Sequence, residues 1–188
     1  ADPTADVEGF DAAAKAAILA GLAFHSRVTD SDVYREGITK ITDTDVAVAK
    51  SLDLVVKLLA IAELTNDGKI SVRVHPTLIS RNHPLASVRE AFNAVFVESE
   101  AAGAMMFYGR GAGGSPTASA VLGDVIDAAV NLRKGTHGTI GTFARVPVLP
   151  IDETSSQYLI GLDVEDKPGV LHAITGVFAS HGVSIRAA

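Results

Sequence analysis

Two strand-like segments joined by a tight turn are the feature that most constrains the fold of this chain. Residues 54–63 form a mainly apolar run, residues 65–69 read TNDGK, and residues 70–76 then alternate apolar and polar side chains. A turn containing Asp-Gly between such segments is typical of an antiparallel hairpin. Residues 93–99 and 104–108 form a second pair of the same kind. The sequence therefore predicts two hairpins.

Helical patterns lie before, between and after these hairpins. A long apolar-rich run predicts a helix over residues 11–26, and the polar cluster at 42–45 provides an N-cap for a helix that ends near residue 52. A further helix is predicted over residues 116–133. Between the first two helices we predict a short strand over residues 37–41, because β-branched side chains recur there.

The character of the sequence changes after Arg133. Residues 134–156 are rich in Gly, Thr and Pro and lack periodic apolar positions, which predicts a linker that can still pack as an extended segment. A strand over 158–164, a helix over 170–180 and a strand over 183–185 are predicted to follow. The chain ends within this last unit.

Composition excludes several classes of function. The 188 residues are 47% hydrophobic, which is enough for a core, and the net charge of −6 comes without a basic cluster, so we expect neither nucleic acid nor a membrane surface as a partner. The chain contains no cysteine, which excludes disulfides and thiolate chemistry and is consistent with a reducing cytoplasm. The longest apolar run, residues 54–64, is shorter than the roughly 18–20 residues of a membrane span.

Asp11 and Lys15 are the best candidates for chemistry. In a helix, positions i and i+4 share a face, so the carboxylate of Asp11 can orient the ammonium of Lys15. Such a lysine could donate a proton to a substrate. The alternative is an ordinary surface ion pair, and the spacing alone does not separate the two.

A glycine-rich loop, GRGAGG at residues 109–114, fits the spacing G-x-G-x-x-G between a predicted strand and a predicted helix. This is the pattern of a dinucleotide-binding turn, although no acidic residue follows about twenty positions later. A second interpretation is that the glycines let the backbone approach a neighbouring domain or a cofactor edge. The six histidines show no metal-ligand spacing, so no metal site is predicted.

Several motifs in the same order resemble homoserine dehydrogenases. Residues 2–15, DPTADVEGFDAAAK, resemble the signature D-P-x-x-D-(L/V)-x-G-x-D-x-x-x-K of that family, and the likeness continues through AVFVE at 94–98 and MFYGRGAGGSPTASAV at 106–121. Near the end of the chain, the segment that includes DKPGVL at 166–171 is similar to the first half of an ACT domain, a module that senses amino acids. The resemblance divides the chain into a catalytic and dimerisation domain over residues 1–133, a linker over 134–156 and a partial ACT domain over 157–188.

The resemblance implies both a fold and a reaction. The fold is α+β, with a mixed and mostly antiparallel sheet covered by helices on one face, followed by a partial βαβ unit. The reaction is the reduction of L-aspartate 4-semialdehyde to L-homoserine by NAD(P)H, in threonine and methionine biosynthesis. Lys15 and Asp11 would be catalytic, Asp6 would join them in binding the amino-acid substrate, and Gly113 would approach the cofactor.

The family also has a nucleotide-binding domain that precedes this region and is absent from these residues. We therefore expect NAD(P) to be bound mainly outside this chain and the 188 residues alone to be inactive. A cytoplasmic homodimer or higher homo-oligomer, with an amino-acid effector at the ACT domain, is also implied. The alternatives are a non-catalytic amino-acid-sensing module and a dimerisation scaffold.

Overall fold

The computed structural model describes residues 2–136 and 143–186, which fall into two compact units. The first unit is Ala1–Thr154 and the second is Ser155–Ala188. The helices and strands of the first unit are α1 (Thr4–Val7), α2 (Phe10–Phe24), β1 (Tyr34–Arg35), α3 (Asp43–Ser51), β2 (Leu54–Leu64), β3 (Ile70–Ser80), β4 (Phe92–Ser99), β5 (Gly103–Arg110) and α4 (Gly114–Lys134). The second unit contains α5 (Val170–Ser180). Short 3-10 turns occur at Asp30–Asp32, Pro84–Ser87 and Ile151–Glu153.

Both predicted hairpins are confirmed. β2 and β3 pair antiparallel from Leu54 opposite Ser80 to Leu64 opposite Ile70, and β4 and β5 pair in the same way. β1 adds to the other edge of β3 as a short parallel strand, so the larger sheet has the order β1-β3-β2.

β3 runs four residues further than the sequence predicted, through Pro76 to Ser80. A proline cannot donate to a strand ladder and is tolerated on a strand edge. β1 pairs only with Arg73 and Val74, so β3 has no strand partner on that side at Pro76 among the described residues.

The core lies between α2 and the larger sheet. Four alanines at helical spacing on α2 are buried, and they face the alternate side chains of β3 that point to the same side of the sheet. Small side chains on the helix let it approach the sheet closely, so this contact fixes the position of α2. The buried residues are Ala13, Ala16, Ala17 and Ala20 from the helix and Ile70, Val72 and Val74 from the strand.

The predicted N-cap of the second helix is confirmed. The Thr42 hydroxyl accepts a hydrogen bond from the Asp45 backbone N–H at 3.2 Å, and the Asp45 carboxylate accepts in return from the Thr42 backbone N–H at 2.8 Å. This is a reciprocal capping box. The hydrogen bonds from the backbone and the side chain of Thr42 lower the pKa of Asp45.

The predicted strand over residues 37–41 is wrong, and β1 lies earlier, at Tyr34–Arg35. The Glu36 N–H donates to the Val74 carbonyl at 2.8 Å, but the next residues turn away from β3, and the Ile38 N–H donates instead to the carbonyl of Val7. The contact with the N-terminal segment thus overrides the local β-branched pattern.

The predicted strands over 158–164 and 183–185 are also wrong, because neither segment has strand pairing in the second unit. α5 lies between them as predicted. A strand needs hydrogen-bonded neighbours, and an isolated pair is marginal in water. The side chains of Arg186 and Gln157 form a hydrogen bond of 2.9 Å near the ends of the two segments.

Residues 143–154 of the predicted linker belong to the first unit and pack within it as an extended segment. Residues 144 and 148 form isolated bridges with Ser26 and Ile70. The Leu149 N–H donates to the Ile70 carbonyl at 2.8 Å.

Among the residues described, no helix combines the length and apolar character that a membrane span requires.

Candidate active site

The predicted site lies on two helices near the N-terminus, α1 and α2, which are separated by two residues. Asp6 lies on α1, whereas Asp11 and Lys15 lie on the first turns of α2. The chain reverses between them at Gly9, which has a φ of 77°, a conformation that glycine adopts without strain. A Cβ at Gly9 would also lie 3.0 Å from Cγ1 of Val74, so the junction packs directly on the sheet.

Asp11 and Lys15 form the predicted ion pair, with Nζ of Lys15 2.5 Å from Oδ2 of Asp11. The Lys15 side chain is 60% exposed and the Asp11 side chain is 48% exposed. An exposed pair of this kind contributes at most about 1 kcal/mol to stability. The ammonium is therefore oriented by Asp11 but open to a ligand, and its catalytic role stays a prediction.

The other acidic side chains of this segment differ in how they are used. The Asp2 carboxylate accepts hydrogen bonds from the Thr4 hydroxyl at 2.6 Å and the Thr4 N–H at 3.0 Å, and these bonds lower the pKa of Asp2. Asp6 is exposed, and its carboxylate has no hydrogen-bond or ion-pair partner within the described part of the chain. The Asp2 carboxylate is therefore engaged by Thr4, the first residue of α1, whereas Asp6 remains available to a ligand.

Residues far along the chain hold this segment in place, and the sequence did not indicate them. Arg35 donates from Nη1 to the Glu8 carbonyl at 2.6 Å, and its Cζ lies 3.5 Å from the centroid of the Phe10 ring. A Cβ at Gly37 would lie 2.6 Å from the Val7 carbonyl oxygen, so only glycine fits there. These contacts bridge roughly thirty positions of sequence, which no local pattern can reveal.

The glycine loop follows β5 and opens α4 as predicted, but the strands before it form an antiparallel hairpin rather than a βαβ unit. A Cβ at Gly111 would lie 1.2 Å from Nδ2 of Asn93, so the close approach at this glycine is to a side chain of β4. Gly113, with a φ of 127°, precedes the first residue of α4. The structure does not bring Gly113 into hydrogen-bond contact with Asp11 or Lys15 in the ranges it describes.

Strand β5 and helix α4 both leave apolar side chains exposed. Every residue of β5 is exposed, and α4 buries none of its side chains. Met105 and Phe107 of β5 are exposed, and the large apolar residues of α4 that are more than half exposed are Val121, Leu122, Val125, Ile126 and Leu132.

In the described ranges, no group of three histidine or carboxylate residues could hold a metal ion.

Comparison with known proteins identifies the class of protein that has this α+β unit with an Asp–Lys pair on its first long helix. Residues 1–126 match the family model for homoserine dehydrogenase, and residues 158–188 match the model for the ACT domain. The chain belongs to the homoserine dehydrogenase family. The resemblance inferred from the sequence motifs and the α+β fold class are thereby confirmed.

Individual relatives agree with this assignment. A homoserine dehydrogenase of Corynebacterium glutamicum is 56% identical over 191 residues, which include 99% of this chain and 43% of that protein. The crystal structure of a homoserine dehydrogenase from Thiobacillus denitrificans superposes with a TM-score of 0.88 at 37% identity, over all of this chain and 44% of that one. A hyperthermophilic archaeal homoserine dehydrogenase mutant in complex with NADPH superposes over 69% of this chain and 35% of that one, with a TM-score of 0.54 and 30% identity. The chain thus spans less than half the length of these relatives.

Proposed function

We propose that these residues form the substrate-binding and proton-transferring part of a homoserine dehydrogenase, which reduces L-aspartate 4-semialdehyde to L-homoserine with NAD(P)H. The observation that carries the proposal is the Asp11–Lys15 pair, which is oriented by a 2.5 Å contact and remains open to solvent. The pair occurs in a segment that is 56% identical to a homoserine dehydrogenase. The same reaction places the protein in threonine and methionine biosynthesis, with cytoplasm as the expected compartment.

Lys15 acts on the oxygen of the substrate carbonyl. As a hydride adds to the carbonyl carbon, the electron pair of the C=O bond moves to oxygen, and the Lys15 ammonium donates a proton to form the alcohol. A positioned cation also stabilises the developing negative charge. Because the Lys15 side chain is 60% exposed, water can return a proton to the amine after each turnover.

Asp11 and Asp6 receive the charged end of the amino acid. Asp11 already orients Lys15 and can contact the substrate with its second oxygen. Asp6 lies on α1, on the other side of the junction at Gly9, with an exposed carboxylate that suits a substrate α-ammonium group. The two carboxylates and the ammonium together match a substrate that carries both an amine and a polarised carbonyl.

The cofactor is bound mainly by a nucleotide-binding domain outside these residues, and Gly113 is the proposed contact from this chain. When bound, the nicotinamide supplies the hydride. The backbone at the start of α4 fits an approach of this kind, because a Cβ at Gly114 would meet no atom within 4 Å and one at Gly113 would meet only Pro116. The archaeal relative in complex with NADPH supports a pyridine nucleotide as the cofactor.

We also propose that the protein is a homodimer and that its ACT segment binds an amino-acid effector. The exposed apolar side chains of β5 and α4 support a subunit interface, since single-chain proteins rarely leave large apolar patches open to water. The match of residues 158–188 to the ACT model supports an effector site. The division into a catalytic domain over 1–133, a linker over 134–156 and an ACT part over 157–188 belongs to the same proposal.

The substitution Asp6→Asn tests the proposed substrate class. In the complete enzyme, meaning these residues with the nucleotide-binding part, the KM for aspartate 4-semialdehyde should rise by about tenfold, the equivalent of about 1.4 kcal/mol for a charged hydrogen bond lost. The KM for NAD(P)H should stay unchanged. Asp2→Asn is the matched control, because the side-chain oxygen of asparagine can accept the same hydrogen bonds from Thr4.

A non-catalytic amino-acid-sensing module is the second candidate, and the ACT match favours it. The same experiment separates the two candidates. If these residues only sense amino acids, the complete enzyme should have the same KM for aspartate 4-semialdehyde in the Asp6→Asn and Asp2→Asn variants. Equal substrate KM values would therefore count against Asp6 as a substrate ligand.

A further inference from the structure

The side chain of Arg35 contacts both sides of the junction between α1 and α2. Nη1 of Arg35 donates to the carbonyl of Glu8, the C-cap residue that follows α1, at 2.6 Å. Its guanidinium carbon lies 3.5 Å from the centroid of the Phe10 ring, the first residue of α2. One planar group therefore contacts the C-cap residue of α1 and the first residue of α2.

Arg35 is itself fixed to the core of the first unit. It belongs to β1, where its Cα partner is Val74 of β3, a fully buried residue. The methylene groups of Arg35 also lie 3.5 and 3.8 Å from the position that a Cβ would take at Gly9. The Arg35 side chain thus packs the junction at Gly9 against the sheet.

We infer that Arg35 is a positioning residue for the substrate site, a role that rests on the proposed function. It fixes the distance between Asp6 on α1 and the Asp11–Lys15 pair on α2, because the backbone between them bends at Gly9. Glycine resists rotation less than any other residue, so the junction needs an external constraint. A displacement of about 1 Å in a catalytic group can cost about 10²-fold in rate.

The guanidinium is suited to this role by its shape. A planar fork can donate to the Glu8 carbonyl while its face covers the Phe10 ring, and a lysine ammonium cannot make both contacts with the same geometry. We expect Arg35→Met to remove both contacts while it retains the apolar length of the side chain. Arg35→Lys should keep a donor and a positive charge, and so regain part of the function.

The experiment compares three variants of the complete enzyme. Arg35→Met should lower kcat/KM for aspartate 4-semialdehyde by about 10²-fold and leave the KM for NAD(P)H unchanged, and Arg35→Lys should recover about tenfold of that loss. Arg81→Met is the matched control and should behave as the parent, because the Arg81 side chain forms an exposed ion pair with Asp53, at 2.9 Å. In the 188-residue chain, hydrogen exchange should accelerate for the amides of residues 6–9 and 13 in Arg35→Met but not for those of β3.

The outcomes separate this inference from the proposed function. If Arg35→Met stays within about threefold of the parent while Lys15→Met loses activity, the inference is wrong and the proposed function stands. Faster exchange across β3, or an equal rise in the KM for NAD(P)H, would show that Arg35 supports the whole fold and would also overturn it. If Lys15→Met remains active, the proposed function itself fails.

Discussion

Replacing Lys15 with methionine in the complete enzyme is expected to lower kcat by about 10²–10⁴-fold, the usual contribution of a positioned proton donor. Methionine keeps the apolar length of the side chain and removes the ammonium that Asp11 orients at 2.5 Å. The loss should appear in kcat, because proton donation to the substrate oxygen occurs in the transition state. Steady-state rates of NAD(P)H oxidation with varied aspartate 4-semialdehyde measure it.

Lys50→Met provides the control for this substitution. Lys50 is an exposed lysine in the last turn of α3, and we expect its replacement to leave kcat unchanged. The free energies of unfolding of the two variants should also be similar, because exposed ion pairs contribute at most about 1 kcal/mol. A Lys15→Met enzyme with near-parental kcat would show that the pair is only a surface ion pair.

The substitution Gly37→Ala is expected to destabilise the first unit by about 1–3 kcal/mol, the usual cost of forcing an extra group into a packed site. The new Cβ would lie 2.6 Å from the Val7 carbonyl oxygen and 2.7 Å from Cα of Glu8. Both are backbone atoms that cannot rotate away, so the N-terminal segment must move off the sheet. In the complete enzyme, activity should fall as well, since this segment carries Asp6, Asp11 and Lys15.

Gly123→Ala is the matched control for Gly37→Ala. Gly123 lies within α4, and a Cβ added there would meet no atom within 4 Å. Alanine is favoured over glycine in a helix by about 0.5–1 kcal/mol, so this variant should be as stable as the parent or more stable. Chemical denaturation of the 188-residue chain measures both variants. Equal unfolding free energies for Gly37→Ala and the parent would contradict the packing described at Gly37.

Sequence patterns predicted the elements that are determined by interactions between residues close together in the chain. The turn with Asp67-Gly68 and the alternation after it specify the larger hairpin, and the threonine–aspartate spacing specifies the cap of α3. The i and i+4 spacing likewise placed Asp11 beside Lys15. In each of these cases the interacting groups lie within a few residues or face each other across a single turn.

Contacts between distant parts of the chain explain what the sequence did not predict. Residues 37–41 carry β-branched side chains, but their contact with Val7 turns them away from the sheet. Arg35 shows no pattern of its own, because its role depends on Glu8 and Phe10, which precede it by 27 and 25 positions. The glycine loop was predicted to allow a close approach, and only the structure identifies Asn93 as the group that comes close to Gly111.

A segment exchange tests most directly the proposal that this chain supplies the substrate-binding part of a homoserine dehydrogenase. Residues 1–188 replace the matching segment of the Corynebacterium glutamicum enzyme, to which they are 56% identical, and kcat/KM is measured for aspartate 4-semialdehyde with NAD(P)H. We predict a value within about tenfold of that of the unmodified enzyme, a difference of about 1.4 kcal/mol in activation free energy. A folded exchange protein that binds NAD(P)H but does not reduce the aldehyde would contradict the claim.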